Sequence, residues 1–148
     1  MERNERIWQG LGYAGLLPFI IATTMAWTGL QLTWLNAEFA FISYSAVILS
    51  FISGTLWGRA IALSTSSTTG RLLIQSNLFS ILSWLALLLN QQAASLVLLL
   101  LGYLWLFVIE KKAQELCLNQ DYISMRLRLT LVAVTMHLLM LIHQLFGG

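Results

Sequence analysis

The 148-residue chain is 58% apolar and 9% charged, with a mean hydropathy of +0.78, whereas a soluble domain carries roughly 25% charged residues. That balance excludes a water-soluble domain and defines an integral membrane protein. The formal net charge of +2 and pI near 9.0 do not point to nucleic acid, because the basic residues flank apolar runs and form no solvated stripe.

In chain order the apolar runs predict spans from about Gly10 to Leu30, Phe41 to Leu63, Leu72 to Leu89, Ala93 to Ile109 and Leu127 to Phe146. The connectors are polar and turn-prone: Gln31 to Glu38, the Ser64 to Gly70 run, the tight Asn90-Gln91-Gln92 turn, and Glu110 to Arg126. The last of these, with Lys111, Lys112, Glu115 and Asp121, has room for one short amphipathic surface helix. Five spans of about 20 residues use roughly 100 positions, so residues 1–148 make one domain with no soluble appendage. No internal repeat supports an inverted-repeat transporter. The expected fold is all-α, an integral membrane bundle of five transmembrane helices.

Orientation follows from the basic residues. Arg3 and Arg6 precede the first span, Arg59 and Arg71 flank the connector after the second, and Lys111, Lys112, Arg126 and Arg128 border the one after the fourth. The opposite side has no Lys or Arg, only Glu38. The positive-inside rule then predicts a multi-pass membrane protein with a cytoplasmic (or matrix) N-terminus and Gly148, the C-terminus, on the outer (periplasmic) side. A cleavable signal peptide fits the first span poorly, since that span is long and contains Pro18. The single cysteine, Cys117, has no internal disulfide partner and reads as a reduced cytoplasmic bystander.

Three groups of residues stand out within the spans. Ala46, Ser50, Gly54, Gly58 and Ala62 recur every four residues on the second span, a small-residue row suited to close helix packing. The expected occupant is a neighbouring helix of the same chain; a second copy or another membrane protein is the alternative. Asn77, Ser80 and Ser83, with Ser76 and Asn90, form a polar stripe on the third span. Polar groups in hydrocarbon need partners, so this stripe should face inward. His137, on a face of the fifth span shared with Arg126, Thr130, Ala133 and Gln144, is the ionisable side chain deepest in any span. A neutral imidazole bonded to a serine or a carbonyl is its structural reading. The third group lies at the cytoplasmic ends, where Trp57, Arg59, Trp105, Glu110, Arg126 and Arg128 share one membrane depth. Glu110 is expected to pair with one of the arginines, with the tryptophans anchored at the interface. The sharper alternative is a basic, aromatic-edged pocket for an anionic lipid headgroup or a quinone head.

Metal and enzyme chemistry find little support. Met136, Met140 and His143 form a soft-plus-imidazole set on the fifth span, but methionine is an ordinary gap-filler, and His137 and His143 point to different sides of the helix. No metal site and no cofactor, haem included, is expected. There is no P-loop, no Gly-x-Ser-x-Gly and no intramembrane carboxylate pair, and although Ser80 or Ser83 can be drawn as a nucleophile with His137 as its base, no local signature supports the choice. The expected activity is non-enzymatic, with no catalytic residue.

The run Leu11-Gly12-Tyr13-Ala14-Gly15-Leu16-Leu17-Pro18-Phe19, the stretch from Tyr44 to Phe51 and on through Trp57-Gly58, and Leu127-Arg128-Leu129-Thr130 after Tyr122 resemble the uncharacterised membrane family called domain of unknown function 3429. Glu110 stands where that family pattern leads one to expect Asp, and the third span has no proline near Phe79. The resemblance implies a proteobacterial or mitochondrial inner-membrane setting and brings no established activity. The expected function is therefore an accessory or assembly subunit that binds lipid or another membrane protein. The alternative is a carrier or binding protein for a lipophilic ligand such as a quinone or anionic lipid. Expected partners are the bilayer, such a ligand, and a second copy or a membrane protein, with nucleic acid excluded.

Overall fold

The first crossing is a broken helix, and a proline marks the break. In the computed structural model, which describes residues 2–30, 32–62, 67–89, 91–114 and 120–147, α1 (Glu2–Ala14) and α2 (Leu17–Thr28) are separated by a turn at Gly15 and Leu16. The turn closes α1 through Gly15 N–H to Leu11 O and Leu16 N–H to Tyr13 O, both 3.0 Å. Pro18 falls in the first turn of α2, where its missing N–H leaves no intrahelical bond unmade. At the other end of α2, Gly29 takes the left-handed conformation (φ 66°) that ends a helix at little steric expense. The helix thus begins well before the expected start near Gly10, and it is interrupted inside the expected span.

The remaining helices are α3 (Ala37–Ala62), α4 (Ser67–Leu88), α5 (Gln92–Gln114) and α6 (Gln120–Phe146). Asn36 opens α3, its Oδ1 accepting the Phe39 N–H at 2.8 Å. Most of the Glu110 to Arg126 connector belongs to the ends of α5 and α6, not to a separate surface helix. Lys111 and Lys112 in the last turn of α5, and Asp121 in the first turn of α6, suit the dipoles of those longer helices. Glu115 and Cys117, like Ser64 and Asn90 in the other connectors, lie outside the described residues. With α1 and α2 taken as one, five helical segments are long and apolar enough to cross a membrane: Arg6–Thr28, Ala37–Ala62, Thr69–Leu88, Gln92–Ala113 and Gln120–Phe146.

Helices α3 and α5 hold the centre. α3 packs against α2, α4 and α5, while α5 also meets α4 and α6; α2 reaches α6, and α1 rests on α6. The outward positions carry large apolar side chains such as Phe51, Leu78 and Leu131. The interior mixes Phe19, Phe41, Leu49, Leu99 and Met140 with buried Ser45, Ser53, Ser76, Ser83 and Ser95. That inversion suits a lipid solvent, in which small residues and interhelical hydrogen bonds hold helices together. Ser53 Oγ, for example, lies 3.1 Å from Ser80 Oγ, joining α3 to α4.

The small-residue row on α3 needs correcting over its second half. Ala46 is buried and Ser50 half-buried, but Gly54, Gly58 and Ala62 are exposed, and a Cβ added at Gly54 or Gly58 would meet nothing within 4 Å. No helix of this chain packs there among the described residues. The reason is geometric: four-residue steps advance about 40° on a 3.6-residue helix, so a row of four such steps drifts roughly 160° around the axis. The buried face instead follows Ser45, Leu49, Ser53, Leu56 and Ala60. The tight glycine is Gly102 of α5, where a Cβ would lie 2.6 Å from Leu49 Cδ2 and 3.3 Å from Leu82 Cδ2. On α4, Ser83 is buried and Ser80 half-buried, whereas Asn77 is exposed and donates from Nδ2 to Leu73 O (2.9 Å) within its own helix. Asn77 is therefore not one of the buried polar residues. Its place next to Ser76 rotates it about 100° off the inward face.

Candidate functional site

One turn before the end of α5, Glu110 is sealed among helices with 2% exposure. A carboxyl group there requires partners, since an unpaired charge taken out of water costs several kcal/mol. Arg126 of α6 supplies both Nε (2.9 Å) and Nη2 (2.6 Å) to the same oxygen, Oε2. The other oxygen accepts the Tyr122 hydroxyl at 3.2 Å and faces Arg59 Nη1 of α3 at 3.7 Å. The Arg59 guanidinium also lies 4.7 Å from the centre of the Tyr122 ring. Two guanidiniums, always protonated, thus converge on one carboxyl group.

Of the six residues expected at this depth, Arg59, Glu110 and Arg126 come together. Trp57, Trp105 and Arg128 are exposed and stand outside the cluster, the Trp105 ring stacking edge-on to Phe79 at 6.5 Å. Residues at one depth need not share one side of a helix: Arg128 lies two positions from Arg126 and so turns away from it. Tyr122 is the member missing from the expected set, although its place four residues before Arg126 puts it on the same face. Trp8 of α1 joins it, ring to ring at 6.0 Å.

Beside this cluster lies a cavity of about 400 Å³, walled by Trp8, Leu11 and Gly12 of α1, Phe19 of α2, Ile48 to Thr55 of α3 and Tyr122 to Ala133 of α6. Its walls are overwhelmingly apolar, and Arg126 brings a cation to them. The volume falls within the range of small-molecule sites, about 300–1,000 Å³. The cavity owes its space to the helix break and to glycine: Gly12 and Gly15 line it without side chains, and a Cβ at Gly12 would lie 3.2 Å from Leu129 Cδ1.

Deeper along the same face of α6, His137 is wholly buried, caged by the rings of Phe41 (4.9 Å), Tyr103 (5.2 Å) and Phe19 (5.7 Å). Nδ1 lies 2.7 Å from Ala133 O and Nε2 lies 2.6 Å from Ser45 Oγ. A carbonyl only accepts, so the proton sits on Nδ1, and the Ser45 hydroxyl donates to Nε2 of a neutral ring. Tyr103 then donates to Ser45 O at 2.9 Å. The serine partner is Ser45, not Ser80 or Ser83. Ser45 and His137 are both fully enclosed, so no substrate carbonyl can reach the hydroxyl in this arrangement.

At the opposite end, Glu38 meets the last turn of α6. His143 Nδ1 lies 3.4 Å from Glu38 Oε1, and the Gln144 amide, oriented with its nitrogen toward the carboxylate, donates to both oxygens at 3.2 Å and to Gln92 Oε1 at 3.0 Å. Met136 and Met140 are packing residues, half-buried and buried. Among the described residues no group of three or more His, Cys, Asp or Glu side chains gathers to hold a metal ion.

Five membrane-length helices closed around buried polar groups define a multi-pass integral membrane protein. Residues 4–142 match the family described as protein of unknown function (DUF3429), and the chain belongs to that family. It is also similar to transmembrane protein 69 of Xenopus tropicalis, 39% identical over an alignment 97 residues long that covers 62% of this chain. The match spans 38% of that relative's length. No solved structure matches the chain.

Proposed function

We propose that this protein is a non-enzymatic inner-membrane bundle that binds a lipophilic molecule, of the class of quinones and anionic lipids, in the cavity between α1, α3 and α6. The observation that carries this reading is the 400 Å³ apolar cavity with Arg126 at its wall. The one-sided distribution of Lys and Arg supports an orientation with the Glu110 cluster toward the cytoplasmic or matrix leaflet. Such a leaflet supplies lipophiles laterally, and the apolar walls receive the body of the ligand. Native mass spectrometry of protein extracted in mild detergent is expected to show a retained small molecule, and Ile52→Trp, which fills the cavity, is expected to lose it. Wild-type protein that carries nothing, or an Ile52→Trp variant that keeps its ligand, overturns the reading.

A second reading, an accessory or assembly subunit, draws on the open face at Gly54 and Gly58, which leaves room for the close approach of another helix. The partner we assign to it is a second copy of the chain. Native mass spectrometry then shows a dimer that Gly54→Leu dissociates; a wild-type monomer in mild detergent removes this reading.

A further inference from the structure

We infer that the cavity selects a lipophile by an oxygen-acceptor head, which Arg126 Nη1 and the Thr130 hydroxyl hold; this rests on the cavity being a lipophile site at all. The Tyr103 hydroxyl donates to Ser45 O, the Thr55 hydroxyl to Ile52 O (2.7 Å) and the Tyr122 hydroxyl to Glu110 Oε1. Those three are committed within the protein. Arg126 gives Nε and Nη2 to Glu110, and Nη1 is the nitrogen that this pair leaves unused. Thr130, one helical turn beyond Arg126 and 6% exposed, lines the cavity without a hydrogen-bond partner among the described residues.

Buried polar groups are hydrogen-bonded as a rule, and an unpaired one carries a penalty that a ligand can relieve. Nη1 can only donate, and a threonine hydroxyl donates readily. The Trp8 indole, at the same end of the cavity, is also a donor and nothing else. Three donors and no free carboxylate call for an acceptor on the ligand. The shared chemistry is an oxygen on an apolar body: the carbonyl of a quinone ring, or the carboxylate or phosphate of an acidic lipid. With Arg59 the cluster holds two guanidiniums against the one carboxyl group of Glu110, so a negative head meets no net repulsion there.

The test compares three probes of similar tail length on the full chain in phosphatidylcholine nanodiscs, read by quenching of tryptophan fluorescence and by native mass spectrometry. Decylubiquinone presents carbonyls, dodecanoate presents a carboxylate, and dodecylbenzene presents no acceptor. At least one headed probe is expected to bind about tenfold or more tighter than dodecylbenzene, as a charge-assisted bond to Arg126 requires. Preference for decylubiquinone points to a quinone-like source, and preference for dodecanoate to an acidic lipid. Thr130→Val is expected to weaken the preferred probe by about fivefold, the worth of one hydrogen bond, and to leave dodecylbenzene unchanged. Thr130→Ser restores the affinity, and matching thermal midpoints show that both variants fold. Dodecylbenzene binding as tightly as the headed probes, or an unchanged affinity in Thr130→Val, overturns the head selection while the lipophile site stands. Failure of all three probes overturns the site itself.

Discussion

Glu110 illustrates how one buried carboxyl group organises its surroundings. Its partners come from two helices, Arg59 from α3 and both Tyr122 and Arg126 from α6, and each approaches because an ion in hydrocarbon has no water to turn to. Pairing of Glu110 with an arginine was legible in the sequence, since both had to sit near the same membrane depth. Which arginine was not, because depth says nothing about direction around a helix. The pair makes a clear prediction. Arg126→Leu alone takes from Glu110 both hydrogen bonds to Oε2 and should destabilise the protein by about 3–5 kcal/mol, whereas Arg126→Leu with Glu110→Leu should recover most of that loss. Thermal unfolding of the wild type, Arg126→Leu, Glu110→Leu and the double variant in one detergent measures the coupling; additive losses would show that the two side chains do not act as a pair.

Among the elements, α3 and α5 decide the packing, and they do so through different glycines from those the sequence made prominent. The four-residue row from Ala46 to Ala62 looks like one smooth face when written as a string, yet its drift carries Gly54 and Gly58 away from the helices that cover Ala46. Gly102 has no small neighbour at that spacing to mark it, and it nonetheless sits against Leu49 and Leu82. Gly102→Leu is therefore expected to lower stability by about 1–3 kcal/mol through overpacking, while Gly54→Leu leaves the stability of the isolated chain within about 0.5 kcal/mol. Thermal midpoints of the two variants, taken at a concentration where the chain is monomeric, test this directly. A larger loss at Gly54 than at Gly102 would reverse the assignment of the packed face.

For the whole molecule, the five membrane-length helices are an odd number, from which we expect the two ends of the chain on opposite sides of the membrane. Together with the basic residues this gives a specific expectation: a cysteine introduced at Arg6 is shielded from an impermeant thiol reagent in intact cells, and one introduced at Gly147 reacts with it, in a Cys117→Ser background. Equal labelling at both positions would contradict the five-span arrangement. The broken first crossing has its own consequence at this scale. The turn at Gly15 and Leu16 itself lines the cavity, which α1 and α6 wall together with α2, α3 and α5.

Membrane class, helical fold and the number and rough limits of the spans follow from the sequence alone, because lipid admits only spans whose backbone bonds are all made within the protein, and unbroken apolar runs of about 20 residues fit helices, not the shorter alternating strands of a barrel. The inward place of His137 and the gathering of charge at one end could also be read there, since polar groups in hydrocarbon must find partners. Only the tertiary structure decided who those partners are: Ser45 for His137, Arg126 and Tyr122 for Glu110, Leu49 for Gly102. It alone revealed the cavity, whose walls come from five helices, α1, α2, α3, α5 and α6. Partner choice depends on the rotation of each helix about its axis, and that rotation is set by all the neighbours at once, not by the spacing of residues along any one span.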